Sequence, residues 1–413
     1  MTRFRFLHAA DLHLDSPLRG LEADAPAERI RGATRQALVN MVDLALEEQV
    51  DFVLLAGDLY DVDWKDWHTG HFLIEQLGRL KRRDIPIVAI SGNHDAEQVL
   101  TKRLPFPGVL LPSAKPGTHV LPGLDVALHG QSFATRAVTD NLALRYPPPR
   151  DGHFNIGLLH TACGSSEHEN YAPCTLADLA ARGYDYWALG HVHERKVVSR
   201  DPWIVFPGNL QGRHVREEGA KGVSIVEVVD GKVASVEHRP LDVLRWLRLA
   251  VDVTGAADLP AVLGRVQLML ATAVTEAQDR FLAVRLTLEG ACPAHVALVR
   301  DPGATRESIR AAIGFEVADR QTLWIEDVRL HTRPALDLAA LRAQPGAVGT
   351  LVAAIEGPAT LDAELSEFVR TLLKDTGEGL DPDHPARAIL EGRLPQDLLD
   401  RARALLLAEL AER

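Results

Sequence analysis

The first half of the chain alternates short apolar runs with longer amphipathic stretches. Residues 5–10 form an apolar run of strand length, followed by a polar loop. Residues 28–50 carry a helical pattern, with Leu38, Met41, Val42 and Leu46 on one face. A second buried strand is expected at 51–56, a helix at 66–83 and a third strand at 85–90. Later strands are expected at 124–130, 154–159, 185–190, 203–206 and 222–228. Val229-Asp230-Gly231-Lys232 carries the Asp-Gly signal of a hairpin between two strands. Strands and helices interleaved in this way predict an α/β layered domain, with helices on both faces of mixed strands, up to about residue 240.

Beyond it the pattern changes. Residues 244–334 read as strand (246–253), helix (258–278), strand (281–288), helix (303–314) and strand (323–331), a small α+β domain. Residues 336–413 read as helical. There Leu365, Phe368, Val369, Leu372 and Leu373 recur at helical spacing, as do Leu398, Leu399, Ala402, Leu405 and Leu406. Such stripes pack into a core or dock a partner helix.

Composition narrows the class. A chain of 413 residues suggests two or three domains, and a hydrophobic share of 46% allows a sizeable core. Cys163, Cys174 and Cys292 are odd in number and lack a C-x-x-C spacing, so a reducing, cytoplasmic setting is expected rather than a disulfide framework. The N-terminus runs straight into the first expected strand without a signal-peptide pattern. No apolar run approaches the roughly 18 residues that span a bilayer, so a soluble protein is expected. The net charge is −12, and residues 336–413 hold eight Lys/Arg against fourteen Asp/Glu. That balance is awkward for any surface meeting a polyanion, but it suits protein docking.

Five short motifs follow expected strands: Asp11-Leu12-His13, Gly57-Asp58-Leu59-Tyr60, Gly92-Asn93-His94-Asp95, His160-Thr161 and Gly190-His191-Val192-His193. Strand ends on one edge of an α/β sheet converge, so these residues are expected to share a pocket. On extended strands Asp11 and His13 would share a face, as would His191 and His193. Carboxylate, imidazole and amide oxygen together favour Mn²⁺ or Fe, with Zn possible. A bridging carboxylate holds two such ions roughly 3.5–4 Å apart, close enough to activate a water and clamp phosphate oxygens. Each motif alone is weak; five in order after apolar strands are not.

The ordered set D-x-H, G-D, G-N-H-D, H and G-H-x-H resembles the calcineurin-like metallophosphoesterases. The finer match is to the SbcD-type DNA repair exonucleases, which pair with SbcC-type ATPases. Residues 6–15 are similar to their opening, as is Pro207-Gly208-Asn209-Leu210-Gln211-Gly212 with Glu217 and Lys221-Gly222. Residues 10–17 and 168–174 look closest to the YhaO-like branch. The resemblance is specific over about 1–240 and only architectural over the last third.

The resemblance implies a metal-dependent DNA nuclease, an exonuclease and possibly an endonuclease, that hydrolyses phosphodiesters with a water activated by two divalent ions, most readily Mn²⁺. Asp11, His13, Asp58 and His193 would hold one ion, and Asp58, Asn93, His160 and His191 the other. His94 matches the family's catalytic histidine, with Asp95 expected to orient its ring. It also implies a DNA-selecting cap at 244–334, a C-terminal helical region that docks a coiled-coil SbcC-type ATPase, and a homodimer. One position departs from the pattern: Asp61 stands where the SbcD type carries histidine.

Arg213, next to His214 and Arg216, is the best candidate for contact with a phosphate backbone, ahead of Arg19, Arg29, Arg31 and Arg35 or the run 81–83. His168 and Tyr171, in a loop soon after His160, are candidate substrate contacts. His68 and His71 read as a solvated helix face, His8 and His129 as strand residues, and Cys163 as an unreactive thiol. The competing function is a phosphodiesterase or phosphatase for a small nucleotide or phosphoprotein, which the acidic charge favours. A non-catalytic scaffold would be expected to have lost ligands.

Overall fold

The computed structural model describes residues 3–16, 26–61, 67–96, 104–164, 171–278, 280–316, 322–335, 342–343 and 347–356, with scattered positions from 367 to 406. By internal contacts the chain divides into two units. One is Met1–Arg248 with Val274–Arg285 and Gln321–Glu326; the other is Leu249–Ala273 with Leu286–Arg320 and Asp327–Arg413.

The first unit opens with β1 (Arg3–Ala9), α1 (Ala27–Glu47), β2 (Phe52–Ala56), α2 (Trp67–Lys81), β3 (Ile87–Ile90) and β4 (Val109–Leu110). It continues through β5 (Gly117–Leu121), β6 (Val126–Gly130), β7 (Phe154–His160), α3 (Leu176–Ala180) and β8 (Tyr186–Gly190). β9 (Lys196–Arg200), β10 (Trp203–Phe206), β11 (Gly222–Val229) and β12 (Lys232–Pro240) complete two six-stranded sheets. Their strand orders are β12-β11-β1-β2-β3-β4 and β5-β6-β7-β8-β10-β9. The strands β1 to β4 run parallel, with β11 antiparallel to β1. In the other sheet β6, β7, β8 and β10 run parallel.

Alternation sorts each strand between two cores. Leu7, Ala9, Val53, Leu55, Ile87 and Ala89 pack with Leu38 and Met41 of α1 and Leu73 and Leu77 of α2. The intervening Phe4, Phe6, Phe52, Leu54, Val88 and Ile90 meet Ile156, Leu158, Tyr186 and Ala188 of the second sheet. Leu159, Trp187 and Leu189 point to a third core with Leu179 of α3. The layers are therefore helix, sheet, sheet, helix. Strands buried on both faces read as continuous apolar runs, which is why the sequence marks these strands but not their facing. Phe6 and Phe52 stack at 4.9 Å and 9° between the sheets, a pairing worth roughly 1 kcal/mol beyond its burial.

The expected strands appear within a few residues of their predicted bounds. The hairpin turn has Asp230 at φ 48° and Gly231 at φ 73°, both left-handed as a two-residue turn with right-handed strand twist requires. β4, β5 and β9 were not expected: β4 has two residues, and β5 and β9 are half-exposed strands at a sheet edge.

β13 (Leu244–Asp252), β14 (Phe281–Cys292) and β15 (Leu323–Pro334) form a three-stranded sheet with β14 central, and the division between units falls within these strands. α4 (Leu259–Glu276) buries Val262, Val266, Leu270 and Ala273 at helical spacing. α5 (His295–Arg300), which the sequence pattern did not mark, and α6 (Pro302–Glu316) follow β14. Farther on, a helix spans Ala347–Glu356. Of the C-terminal stripes, Leu365, Val369, Leu372, Leu373 and Leu405 lie outside the described residues, while Phe368 and Leu406 are exposed.

Gly157 on β7 is a packing requirement. A Cβ there would lie 2.4 Å from the Trp187 ring, and that ring is fixed by its indole N–H donating to the Leu179 carbonyl at 3.1 Å. Gly157→Ala is expected to cost about 1–3 kcal/mol by overpacking and to lower Tm. Gly32→Ala, on α1 with open space around it, is expected to be neutral or slightly stabilising. Equal melting temperatures for the two variants would refute this account.

Candidate metal centre

The five motifs meet where β1, β2, β3, β7 and β8 end. Asp11 and Asp58 are each 1% exposed and His160 is fully buried. The backbone achieves this by leaving the strand conformation. β1 ends at Ala9, and Asp11 and His13 then adopt φ of 52° and 42°; Asp58 has φ 51° and His191 φ 95°. Left-handed backbone is uncommon outside glycine and clusters at functional sites. Asp11 and His13 therefore converge through turns rather than strand alternation, which corrects the shared-face expectation. The same holds for His191 and His193, because β8 stops at Gly190.

Glycines make the crowding possible. A Cβ on Gly92 would lie 2.2 Å from Asp58 Oδ1, and one on Gly190 would lie 2.0 Å from the Ala56 carbonyl oxygen. The motif glycines thus let three loops approach within contact of the carboxylate and imidazole groups.

Two ligand groups share Asp58. Asp11, His13 and His193 present donor atoms within 4.8 Å of one another, as do Asp11, Asp58 and His160, and His13, Asp58 and His94. Asp58 Oδ2 lies 3.7 Å from His13 Nε2 and 3.3 Å from His160 Nε2. His13 Nε2 is 3.1 Å from His193 Nε2, and His160 Nε2 is 2.9 Å from Asn93 Oδ1. The His191 ring stands edge-on to that of His160, 5.2 Å between centroids, and its backbone N–H donates to both oxygens of Asp11 at 3.1 and 3.0 Å.

The donor chemistry fits divalent cations. His160 Nδ1 faces the Ala56 carbonyl oxygen at 2.9 Å, and a carbonyl only accepts, so the proton sits on Nδ1. Neutral His160 then aims a lone pair at two further acceptors, Asn93 Oδ1 and Asp58 Oδ2. Likewise His193 Nδ1 lies 2.7 Å from Glu217 Oε1, leaving Nε2 to present a lone pair toward His13. Facing lone pairs repel unless a cation or a proton sits among them. Without a metal the proton serves: burial lowers His160, but the Asp58 carboxylate outweighs it and lifts the ring to about 9. Burial pushes Asp58 up, and His160 and His94 more than offset it, to about 2. Burial leaves Asp11 raised despite His160 and His193, and drives His13, beside the Arg213 charge, well below the ordinary histidine range.

His94 borders this group, with Nε2 4.0 Å from Asp58 Oδ2. Its Nδ1 is met by Asp61 Oδ1 at 3.1 Å. Asp61 in turn accepts from Ser16 at 2.6 Å and from Arg213 at 3.3 Å. Asp95, expected to orient His94, instead accepts from the backbone N–H groups of Leu59, Tyr60 and Gly92 at 3.0–3.1 Å. Its carboxylate ties the 57–60 loop to the 92–95 loop. The sequence singled out Asp61 only as a departure; the His94 contact gives that departure a structural role.

The sequence pattern marks Glu217 by resemblance but not by chemistry. It is buried, bonds His193, and accepts from the Arg213 and Asn209 side chains at 2.9 Å each. No local spacing could have marked it, because it reaches His193 across 24 residues. Arg213, expected to meet phosphate, spends donors on Glu217 and Asp61, whereas His214 and Arg216 are exposed. Tyr171 packs against the His191 ring at 5.6 Å. His168 lies outside the described residues, as does Arg19. Arg35 pairs with Asp15, and Arg29 covers the Phe281 ring at 4.6 Å. His8 contacts Tyr186 Oη at 3.0 Å and the Leu189 carbonyl at 3.2 Å, and burial lowers it to about 3. His129 is held by Thr118 and Asn155, and His68 and His71 are exposed.

The family model for calcineurin-like phosphoesterases matches residues 4–195, and the model for the middle domain of metallophosphoesterase YhaO matches 246–333. The chain belongs to the calcineurin-like metallophosphoesterases, in their YhaO-like branch, and its chemistry is phosphoester hydrolysis supported by divalent metals. It is 36% identical to the uncharacterized metallophosphoesterase YhaO of Bacillus subtilis over 78% of this chain and 81% of that protein. It is 26% identical to the DNA double-strand break repair protein Mre11 of Methanopyrus kandleri, over 61% of this chain and 60% of that one. Among solved structures it is similar to a dimetal phosphatase from Danio rerio, with a TM-score of 0.35 and 11% identity, over 55% of this chain and 93% of that one. Among the described residues, no helix is long and apolar enough to cross a membrane.

Glu217 anchors a histidine ring from behind, an arrangement whose loss typically lowers metal affinity about 10–100-fold. Glu217→Gln is expected to weaken divalent-cation binding by that factor, read by calorimetry with Mn²⁺ as the probe. An unchanged affinity would show that Glu217 serves folding alone.

Proposed function

We propose that this chain is a metal-dependent nuclease that hydrolyses phosphodiester bonds in DNA. Two divalent ions, preferentially Mn²⁺, are held by Asp11, His13, Asp58, Asn93, His160, His191 and His193. The observation that carries the reading is the pair of lone-pair clusters sharing Asp58 Oδ2, at 3.3 and 3.7 Å from one imidazole of each. Similarity to a double-strand break repair protein supports DNA as the substrate. When bound, the ions supply Lewis acidity for the phosphate oxygens and the attacking water.

The chain's own groups divide the remaining work. Burial lowers His94, but the Asp61 hydrogen bond and the Asp58 and Asp61 charges more than offset it, so its pKa is raised above the ordinary histidine value. Its Nε2–H is then poised to give a proton to the leaving oxygen. Asp61 holds Nδ1–H and fixes the ring's orientation. On the same reading residues 244–334 select DNA, the C-terminal helices dock a coiled-coil ATPase of SbcC type, and the chain acts as a homodimer.

A second reading, hydrolysis of a small nucleotide or a phosphoprotein, is favoured by the net charge of −12 and by an Arg213 already paired with two carboxylates. A blunt-ended labelled duplex incubated with protein and Mn²⁺ separates the two. Degradation abolished by chelator, and reduced at least about 100-fold by His94→Ala, is the expected outcome. An intact duplex beside rapid turnover of a small diester would favour the second reading.

The Asp61–His94 contact predicts a pH effect of known sign. The carboxylate favours the protonated ring, so its removal lowers the His94 pKa. Asp61→Asn is therefore expected to move the alkaline limb of the kcat profile toward lower pH, with Mn²⁺ affinity little changed. A uniform loss of activity at every pH, without a shift, would count against Asp61 as the group that sets His94.

A further inference from the structure

Beside the metal centre lies a cavity of about 270 Å³ that none of the roles above uses. Its apolar lining comes from Leu110, Leu111, Pro112, Phe133 and Ala134, and Ser91 and Ser113 add polar groups. The volume falls just below the roughly 300 Å³ at which sites for drug-sized ligands begin, so it suits a single small ring system rather than a larger group.

Two lining residues connect it to the candidate centre. Phe133 stands edge-on to the His160 ring at 5.6 Å. Asp95, also in the lining, bonds the backbone of Leu59 and Tyr60, the residues that follow Asp58. The cavity is thus one side chain away from the groups proposed to hold the phosphate. The cavity opens to solvent at Leu110, which is 45% exposed.

The acidic side chain of the lining, Asp95, accepts from the backbone N–H groups of Leu59, Tyr60 and Gly92. The lining residues 110–113 and 132–134, and the sequence beside them at 114–116 and 135–138, contain no acidic residue, in a chain of net charge −12. The adjoining stretches each carry one exposed cation, Lys115 and Arg136. Phe133 is itself held rigidly: its N–H donates to the Ser91 carbonyl at 2.9 Å, and the Ser132 hydroxyl donates to the Leu111 carbonyl at 2.6 Å. A cavity lined by apolar side chains and serines, with exposed cations in the adjoining sequence and Phe133 between it and His160, suits a nucleobase whose phosphate lies at the metal centre.

We propose that this cavity binds the nucleobase attached to the scissile phosphate, and so makes the enzyme selective for nucleotide diesters over simple ones. The inference rests on the phosphodiesterase reading above. It is independent of whether the nucleotide belongs to a DNA end or to a small molecule.

The test compares two diesters with the same leaving group, the p-nitrophenyl ester of thymidine monophosphate and methyl p-nitrophenyl phosphate, on full-length protein with Mn²⁺. Wild type is expected to favour the nucleoside ester in kcat/KM by about tenfold or more, the scale of one stacked base. Leu110→Arg, which places a long charged chain at the cavity mouth, is expected to raise KM for the nucleoside ester and erase the preference. Its rate on the methyl ester should be unchanged, which also reports correct folding. Ala134→Trp, at an exposed position of the lining, should act in the same direction. Equal efficiency on both esters in wild type, or a preference that survives both variants, would overturn the subsite and leave the phosphodiesterase reading standing. Hydrolysis of neither ester would instead remove the reading on which it rests.

Discussion

The site is organised by one electrostatic constraint, the burial of three carboxylates within a few residues' reach of one another. Asp11, Asp58 and Asp95 are each at most 3% exposed. A buried charge without a partner is strongly unfavourable, and three of one sign compound the cost. Each is met differently. Asp95 is ringed by backbone N–H groups and, under burial and the Asp58 charge, rises to about 6. Asp11 takes two bonds from the His191 N–H, yet burial still leaves it raised. Asp58 stays ionised only because His160 and His94 carry the opposing charge. Divalent cations answer the same need more completely, since each brings two positive charges to a cluster already shaped to receive them.

That constraint reaches into the backbone. To place carboxylates and imidazoles around one small volume, the chain must turn sharply just past each strand. Asp11, His13, Asp58 and His191 accept left-handed conformations to do so. Aspartate and histidine tolerate this region better than branched residues, and each such residue stores on the order of 1–3 kcal/mol. The rigid sheets over-determine these turns: β1, β2, β7 and β8 are almost wholly buried and each is paired on both sides. Gly92 and Gly190 then remove the atoms that would otherwise collide with Asp58 and with the Ala56 carbonyl. Stability in the layered core is thus coupled directly to strain at the site.

Much of this was legible in the sequence because strand-then-motif order is a local signal. The apolar runs located β1, β2, β3, β7 and β8, and the polar residues immediately after them brought the seven candidate ligands to one edge. What sequence could not supply was anything depending on distant pairing. The alternation argument for Asp11 and His13 failed because it assumed extended backbone where the chain turns. Asp95 was expected to orient His94, but its carboxylate accepts from backbone N–H groups instead, and Asp61 arrives from another loop. Glu217 meets His193 only after β10 and the loop beyond it have folded back. Edge strands such as β9 escaped because half-exposed residues carry little hydrophobic pattern.

The net charge of −12 raises a final question for any nucleic-acid substrate, and the placement of arginines bears on it. Arg213 sits close enough to the centre to touch His193, with Nη2 3.3 Å from its Nδ1. Yet it is paired with Glu217 and Asp61, so its charge is largely neutralised where it stands. Its effect is therefore to fix Asp61 and Glu217, and through them His94 and His193, rather than to draw in a polyanion. Attraction must come from groups left facing solvent, which include Arg216, Lys115 and Arg136. A few exposed cations give weak, strongly salt-dependent binding compared with a continuous basic groove. On the proposed reading, then, affinity cannot rest on the phosphate backbone alone. It must draw on the two divalent ions at the scissile phosphate and on contacts to the nucleoside beside it, a division that ties recognition closely to the atoms where hydrolysis occurs.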